Sequence, residues 1–358
     1  MLDSQLIQIL FFVGFVVVIL ALLVFDLGVL EKKDRVVSLK RAVVTTLIWA
    51  GLAVVFGMVI RFAGNQIHGI EDKQTLIEVA KKYHETSIVN SAQNMSFSEA
   101  VNEYNKNMTL EYFTGYLIEY SLSIDNIFVM ILIFSSFAVP PQYYKRVLMW
   151  GIIGAMAMRF VFIFLAGALV AKYEWVLLVF GVFLIYSAIT MYLKRNKKEE
   201  MHPENNPLVK FFSKICPVTQ TIEGHDFIRR IDGKRYITPL LLCLVMIEFT
   251  DILFAVDSIP AIFSVTKDPY IVFFSNIFAI LGLRSLFFLI SGVIRMFRFL
   301  KTGLSVLLLF IGVKMIVECE PIGFEVPILY SLLVIIGILL VSILLSVVLP
   351  EKKEVENV

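Results

Sequence analysis

Five carboxylates stand inside long apolar stretches of this 358-residue chain: Glu119, Asp125, Glu248, Asp251 and Asp257. Each costs about 2.5–3.5 kcal/mol at the centre of a bilayer, so five without partners cost on the order of 12–18 kcal/mol. Arg159 and Arg284 also lie in apolar stretches and are the charge-balancing candidates for two of them. The remaining three call for protons, water or a cation. The ligand chemistry on offer is oxygen. All four histidines (His68, His84, His202, His225) fall in polar connections, and Cys243 is the single cysteine near the acids. Zinc and copper favour imidazole and thiolate, whereas carboxylate and carbonyl oxygens suit magnesium, calcium and manganese. Met246 is a softer donor in the same stretch, although a methionine in an apolar span usually packs.

The spacing arranges these groups. Glu119 and Asn126 are seven residues apart and share a helix face, about 10 Å apart along the axis. Asp251 and Ser258 repeat that pair. Asp125 and Asp257 fall beside these faces. Glu248 and Asp251 are helix neighbours, but in an unbroken helix Glu248 and Asp257 point to opposite sides. Pro260 removes a backbone donor and frees the carbonyl of Val256, which predicts a kink over residues 256–260. A break there turns Asp257 inward beside bare carbonyls, a hard-cation arrangement. Glu248, nearest the inner end, also fits a snorkelling role. Asp26, at the inner end of the first stretch, reads more as an interfacial residue than as a ligand.

The elements that carry these residues are membrane spans. The composition is 58% hydrophobic with only 17% charged residues, against about a quarter charged in soluble domains. Nine stretches are long enough to cross a bilayer: near 5–28, 42–62, 111–137, 147–171, 175–193, 239–264, 270–291, 302–317 and 327–349. The fold class is therefore an all-α polytopic bundle of nine spans. With the N-terminus outside, 22 basic residues fall in inner segments and six in outer ones, which the positive-inside rule reads as N-out, C-in. The first stretch lacks a basic leader and a cleavage site, so it reads as an anchor. Cys216, Cys243 and Cys319 are too dispersed for a disulfide framework. The net charge of +2 gives no reason to infer a nucleic-acid partner.

Registering Asp125 on Asp257 sets Glu119 on Asp251 and Asn126 on Ser258. The next span also repeats, from Arg159 to Gly167 and from Arg284 to Gly292. Spans 3–5 then match spans 6–8 as an inverted repeat of three, a plan that puts a transporter's site at the repeat interface. The organisation is thus two leading spans (1–62), an outer loop (63–110), repeat one (111–193), a basic inner loop (194–238), repeat two (239–317), and a last span with an inner tail (318–358). Both loops read mainly as solvated connections, the outer one polar and partly helical. Ser96 and Glu99 form a capping-box pattern, and Asp232-Gly233 is a hairpin signal.

These residues resemble the TerC family of bacterial integral membrane proteins, including its Alx branch. The matching stretches are Phe25 to Leu30, Glu119 to Asn126, Arg229 to Pro239, Glu248 to Ala261 (EFTDILFAVDSIPA) and Ser275 to Ser285 (SNIFAILGLRS). The resemblance implies a multi-pass protein of the bacterial inner membrane that exports manganese from the cytoplasm, within a wider superfamily of cation exporters. It also implies links to tellurite resistance and to alkaline or redox stress. It implies a metal path of Glu119, Asp125, Asn126, Glu248, Asp251 and Asp257. Ser258 joins by the repeat, and Asp26 and Asn276 are further members. The expected substrate is Mn²⁺, with Ca²⁺ as another oxygen-liganded cation, exchanged for H⁺ by alternating access. No organic cofactor is implied, and the partners are membrane lipids and these ions. The outer loop exceeds the family's usual length, which makes it a candidate docking element for an exported or membrane partner. The rival reading is a non-transporting factor that assists insertion or metalation of exported proteins. An enzyme is disfavoured, because the chain has neither a GxGD motif at an intramembrane acid nor HExxH.

Overall fold

The computed structural model describes residues 4–28, 37–83, 89, 93–173, 175–195, 209–210, 217–219, 226–231, 234–293, 299–318, 324 and 326–348. Side chains of residues 4, 5, 25–28 and 293, Asp26 among them, lie outside this description. The described chain is an all-α bundle in which nine helices are long and apolar enough to cross a membrane. They are α1 (Ser4–Gly28), α2 (Leu39–Ala63), α4 (Phe97–Ser136), α5 (Tyr144–Lys172), α6 (Trp175–Lys194), α7 (Pro239–Phe263), α8 (Pro269–Val293), α9 (Leu300–Glu318) and α10 (Ile328–Val348). A shorter helix, α3 (Lys73–Tyr83), precedes α4.

Burial ranks the helices. Buried positions make up 94% of the most apolar stretch of α8, against 11% for α1, so α8 is the central helix and α1 a peripheral one. The α4 helix packs on α8 and on α7, α7 packs on α5, and α5 packs on α8. The α6 helix lies against α9. There Gly181 and Gly312 meet backbone to backbone: a Cβ on Gly181 would come within 3.0 Å of the Gly312 carbonyl, and one on Gly312 within 2.8 Å of the Gly181 carbonyl. Large apolar side chains such as Leu47, Leu165, Leu193, Leu253 and Leu344 are exposed, as a lipid-facing surface requires.

Three expectations change. The helix that carries the third span begins well before residue 111. The capping box at Ser96 is formed, with Ser96 Oγ accepting from the Glu99 N–H and Glu99 Oε2 accepting from the Ser96 N–H. It starts a 40-residue helix, so the end of the outer loop is the first turns of α4. Nor is that loop simply a solvated connection. A 3₁₀ turn (Gly64–His68) buries Ile67 and His68, and α3 buries Leu76 and Ala80. Finally, α7 is helical without interruption from Pro239 to Phe263, with Pro260 inside it. One missing donor in the last turn costs a single bond near an end whose carbonyls already need other partners, so the helix is not broken there.

The inner loop contains an antiparallel pair, β1 (Ile228–Ile231) and β2 (Lys234–Ile237), in which Ile231 faces Lys234. That register leaves two residues for the turn. Asp232-Gly233 itself lies outside the described residues.

Candidate functional site

The centre of the bundle is organised on Arg159, which projects from α5 and is 2% exposed. Its guanidinium forms a fork. Nη1 donates to Glu119 Oε1 on α4 and to Asn276 Oδ1 on α8 (2.7 Å). Nη2 and Nε donate to Asp251 on α7 at 3.1 and 3.3 Å. Asn276 closes the ring by donating to Glu119 Oε2 (3.1 Å). Asn126 donates to Asp251 Oδ1 (2.8 Å), and Ser123 donates to Glu119 Oε1 (3.3 Å). Four helices are thereby tied by one cation. The fixed planar fork of arginine suits this, since it offers five donors with no acceptor of its own.

Beside this triad is a small cavity with room for about one water-sized particle. Glu119, Asp125, Asn126, Arg159, Asp257 and Ser258 contribute to its wall. Two of its acceptors are orphaned: Asn126 Oδ1 and Ser258 Oγ are buried without a hydrogen-bond partner, in residues 1% and 2% exposed. Buried polar atoms are nearly always paired, so each exception calls for an explanation, an unseen ion or water among them. Asp257 accepts from Ser187 Oγ on α6 (2.8 Å). Ser187 is a partner that the sequence reading missed: a single serine in an apolar span carries no pattern.

The predicted residues thus divide. Glu119, Asp125, Asn126, Asp257 and Ser258 share the cavity wall, and Asn276 joins through Arg159. Asp257 reaches the cavity without a helix break. Asp251 bonds to two wall residues but itself faces a second small cavity, which it shares with Arg284, Met130 and Leu148. Arg159 serves Glu119 and Asp251 together, while Arg284 lines the second cavity with Asp251. Glu248 is not brought to the first cavity. Its carboxylate packs where a Cβ on Gly154 of α5 would be, because one turn of helix separates it from Asp251. Met246 is buried in an apolar cluster with Ile127, Met130 and Phe287, away from the wall. Among the described residues no three His, Cys, Asp or Glu side chains form a preassembled metal cluster. The oxygen donors at the cavity are three carboxylates, Glu119 already held on Arg159, with an amide and a hydroxyl oxygen. That set fits a hard cation and leaves part of its coordination to water.

A second polar cluster lies where α4 meets the α7–α8 connection. His68 Nε2 is 2.8 Å from Asp268 Oδ2, and the ring stacks on Tyr83. Glu111 accepts from Thr266 Oγ1 and Asn107 Nδ2, both at 2.7 Å. His68 is therefore a structural partner rather than a free loop histidine.

Residues 104–354 match the family described as "Integral membrane protein TerC family". The chain is 40% identical over 336 residues to "Uncharacterized membrane protein STKORF319" of Myxococcus xanthus, covering 94% of this chain and 91% of that one. It is 47% identical over 237 residues to the Salmonella typhi protein named "Putative membrane-bound redox modulator Alx", covering 66% of this chain and 72% of that one. A Photorhabdus laumondii protein of the same name is 36% identical over 346 residues, 96% of each chain. No solved structure matches. With the family match spanning well over half of its length, this chain belongs to the TerC family of integral membrane proteins.

Proposed function

We propose that this protein is a transporter of the bacterial inner membrane that exports a divalent cation, Mn²⁺ first, from the cytoplasm by alternating access in exchange for protons. The observation that carries the reading is the cavity wall, where Asp125 and Asp257 stand with the two orphaned acceptors of Asn126 and Ser258. A buried acidic group is explicable as structural when it is paired, as Glu119 and Asp251 are on Arg159. Orphaned acceptors at a cavity are not. Carboxylates that alternate between a cation and protons would couple the two movements.

The packing supports the inverted repeat. Exchanging spans 3, 4 and 5 with 6, 7 and 8 preserves the most extensive contacts among them: α4 on α8 becomes α7 on α5, and the α4–α7, α5–α8 and α6–α9 contacts map onto themselves. Such a bundle can rock between two equivalent arrangements about a fixed site. The test is uptake into everted vesicles. Mn²⁺ uptake that depends on Asp125 and Asp257 is the expected result, and its absence from the intact protein overturns the reading.

The second reading, a membrane factor that assists insertion or metalation of exported proteins, draws on the packed outer segment and on the redox name carried by relatives. Replacing residues 71–95 with a short linker separates the two, since an exporter keeps Mn²⁺ tolerance without that segment. The replacement stops short of Phe97 so that α4 stays whole.

A further inference from the structure

The oxygen donors of the cavity do not separate Mn²⁺ from Ca²⁺ or Mg²⁺, yet one more side chain in the wall differs in kind. Met191 of α6 lines the cavity with Asp125, Asp257, Asn126 and Ser258. We propose that the Met191 thioether is the specificity-determining group, disfavouring Ca²⁺ and Mg²⁺ against a transition-metal divalent cation. This rests on the export reading above.

Three observations place the thioether there for more than filling. First, Ser187 and Met191 are one helical turn apart and so share a face of α6, and Ser187 Oγ is bonded to the cavity carboxylate Asp257. That bond fixes which face of α6 looks into the cavity. Second, the Gly181–Gly312 contact sets α6 closely against α9, so α6 is held at a set distance. Third, the same wall holds the unpartnered, almost fully buried polar atoms of Asn126 and Ser258, which call for an ion or a water in the cavity. Met246, the softer donor named from the sequence, is buried in an apolar cluster and does not line the cavity, whereas Met191 packs against an apolar cluster and lines the cavity as well.

The chemistry follows from ligand softness. Ca²⁺ takes six to eight oxygens, and Mg²⁺ demands near-octahedral oxygen coordination and sheds its water reluctantly. A thioether is a soft, weak acceptor. Where it takes up a position in a small site, it excludes a water or an oxygen that the hard ions need. Mn²⁺ shares their preference for oxygen, but it also stands on the first-row series whose affinities extend to nitrogen and sulfur sites. The ordinary alternative is that Met191 only fills space, as flexible methionines do.

The experiment is transport by the full-length protein in proteoliposomes with Mn²⁺, Ca²⁺ and Mg²⁺ offered separately and in competition. Wild type is compared with Met191→Leu, Met191→Gln and Met191→Cys, each first shown to run as a single species in detergent. In Met191→Leu and Met191→Gln, Mn²⁺ uptake falls and Ca²⁺ uptake rises, so the Mn²⁺/Ca²⁺ ratio drops roughly tenfold, the change equivalent to one decade of relative affinity. Met191→Cys, which keeps a sulfur, holds the ratio nearer to wild type. A packing role lowers both ions together and leaves the ratio alone, and that result overturns the inference while the export reading stands. Wild type that carries no Mn²⁺ overturns both.

Discussion

The two buried polar clusters of this protein look alike in composition and differ in what they leave open. The outer one pairs His68 with Asp268, and Glu111 with Thr266 and Asn107. Its unpartnered acceptor, Asn105 Oδ1, lies against Gly64, where it would be 3.0 Å from an added Cβ. It is filled with protein, and it holds the outer segment to the bundle. The central cluster pairs Glu119 and Asp251 on one arginine, and then leaves two acceptors and two more carboxylates around a cavity. Buried charge alone therefore does not mark a working site. Unpartnered acceptors in the residues that wall a cavity are what set the central cluster apart.

The comparison is broken most forcefully at Arg159. Its replacement by Leu leaves Glu119 and Asp251 facing each other without a cation, and removal of one partner from a buried ion pair costs about 3–5 kcal/mol. Thermal unfolding in detergent should fall sharply, and Arg159→Lys should recover only part because it lacks the planar fork. The cavity acids should behave in the opposite way. Asp125→Asn and Asp257→Asn keep shape and remove charge, so Mn²⁺ uptake into vesicles drops while the melting temperature holds. Ser187→Ala is the weaker test of the same wall, with metal affinity reduced by about tenfold as for other residues that orient a ligand.

The outer cluster sharpens the contrast. His68→Phe removes the imidazole from Asp268 Oδ2, while Oδ1 keeps the Tyr270 N–H, and costs about 1–3 kcal/mol. Protease sensitivity over residues 71–95 should rise, with Mn²⁺ uptake unchanged. Gly312→Ala probes neither cluster but the α6–α9 crossing, where the new methyl meets a backbone carbonyl. Overpacking of this kind costs about 1–3 kcal/mol, read as a lower melting temperature.

The smallest effect belongs to the cap of α3. The Thr75 backbone N–H donates to Asp72 and holds its carboxyl below the usual carboxylate range. A lowered folded-state value means that the cap contributes above the unfolded carboxylate value and is lost as pH falls through the folded one. Amide exchange at Thr75 should therefore accelerate only in acid.

Hydropathy, a property of consecutive residues, was enough to read nine spans, an all-α bundle and the five costly acids from the chain alone. The seven-residue spacing of Glu119 with Asn126 and of Asp251 with Ser258 showed which residues share a face. The family motifs were legible for the same reason, because they are contiguous. Partnership was not. Arg159 reaches Asp251 across 92 positions and Asn276 across 117, and no local pattern tells one arginine to take two carboxylates while Arg284 faces a different cavity. The helix that continues through Pro260, the serine on Asp257, the methionine at the cavity and the burial of His68 are equally matters of packing. Bilayer insertion fixes which segments become helices, since each must satisfy its own backbone hydrogen bonds. Which faces meet is decided only when those helices pack, through contacts between segments far apart in the chain.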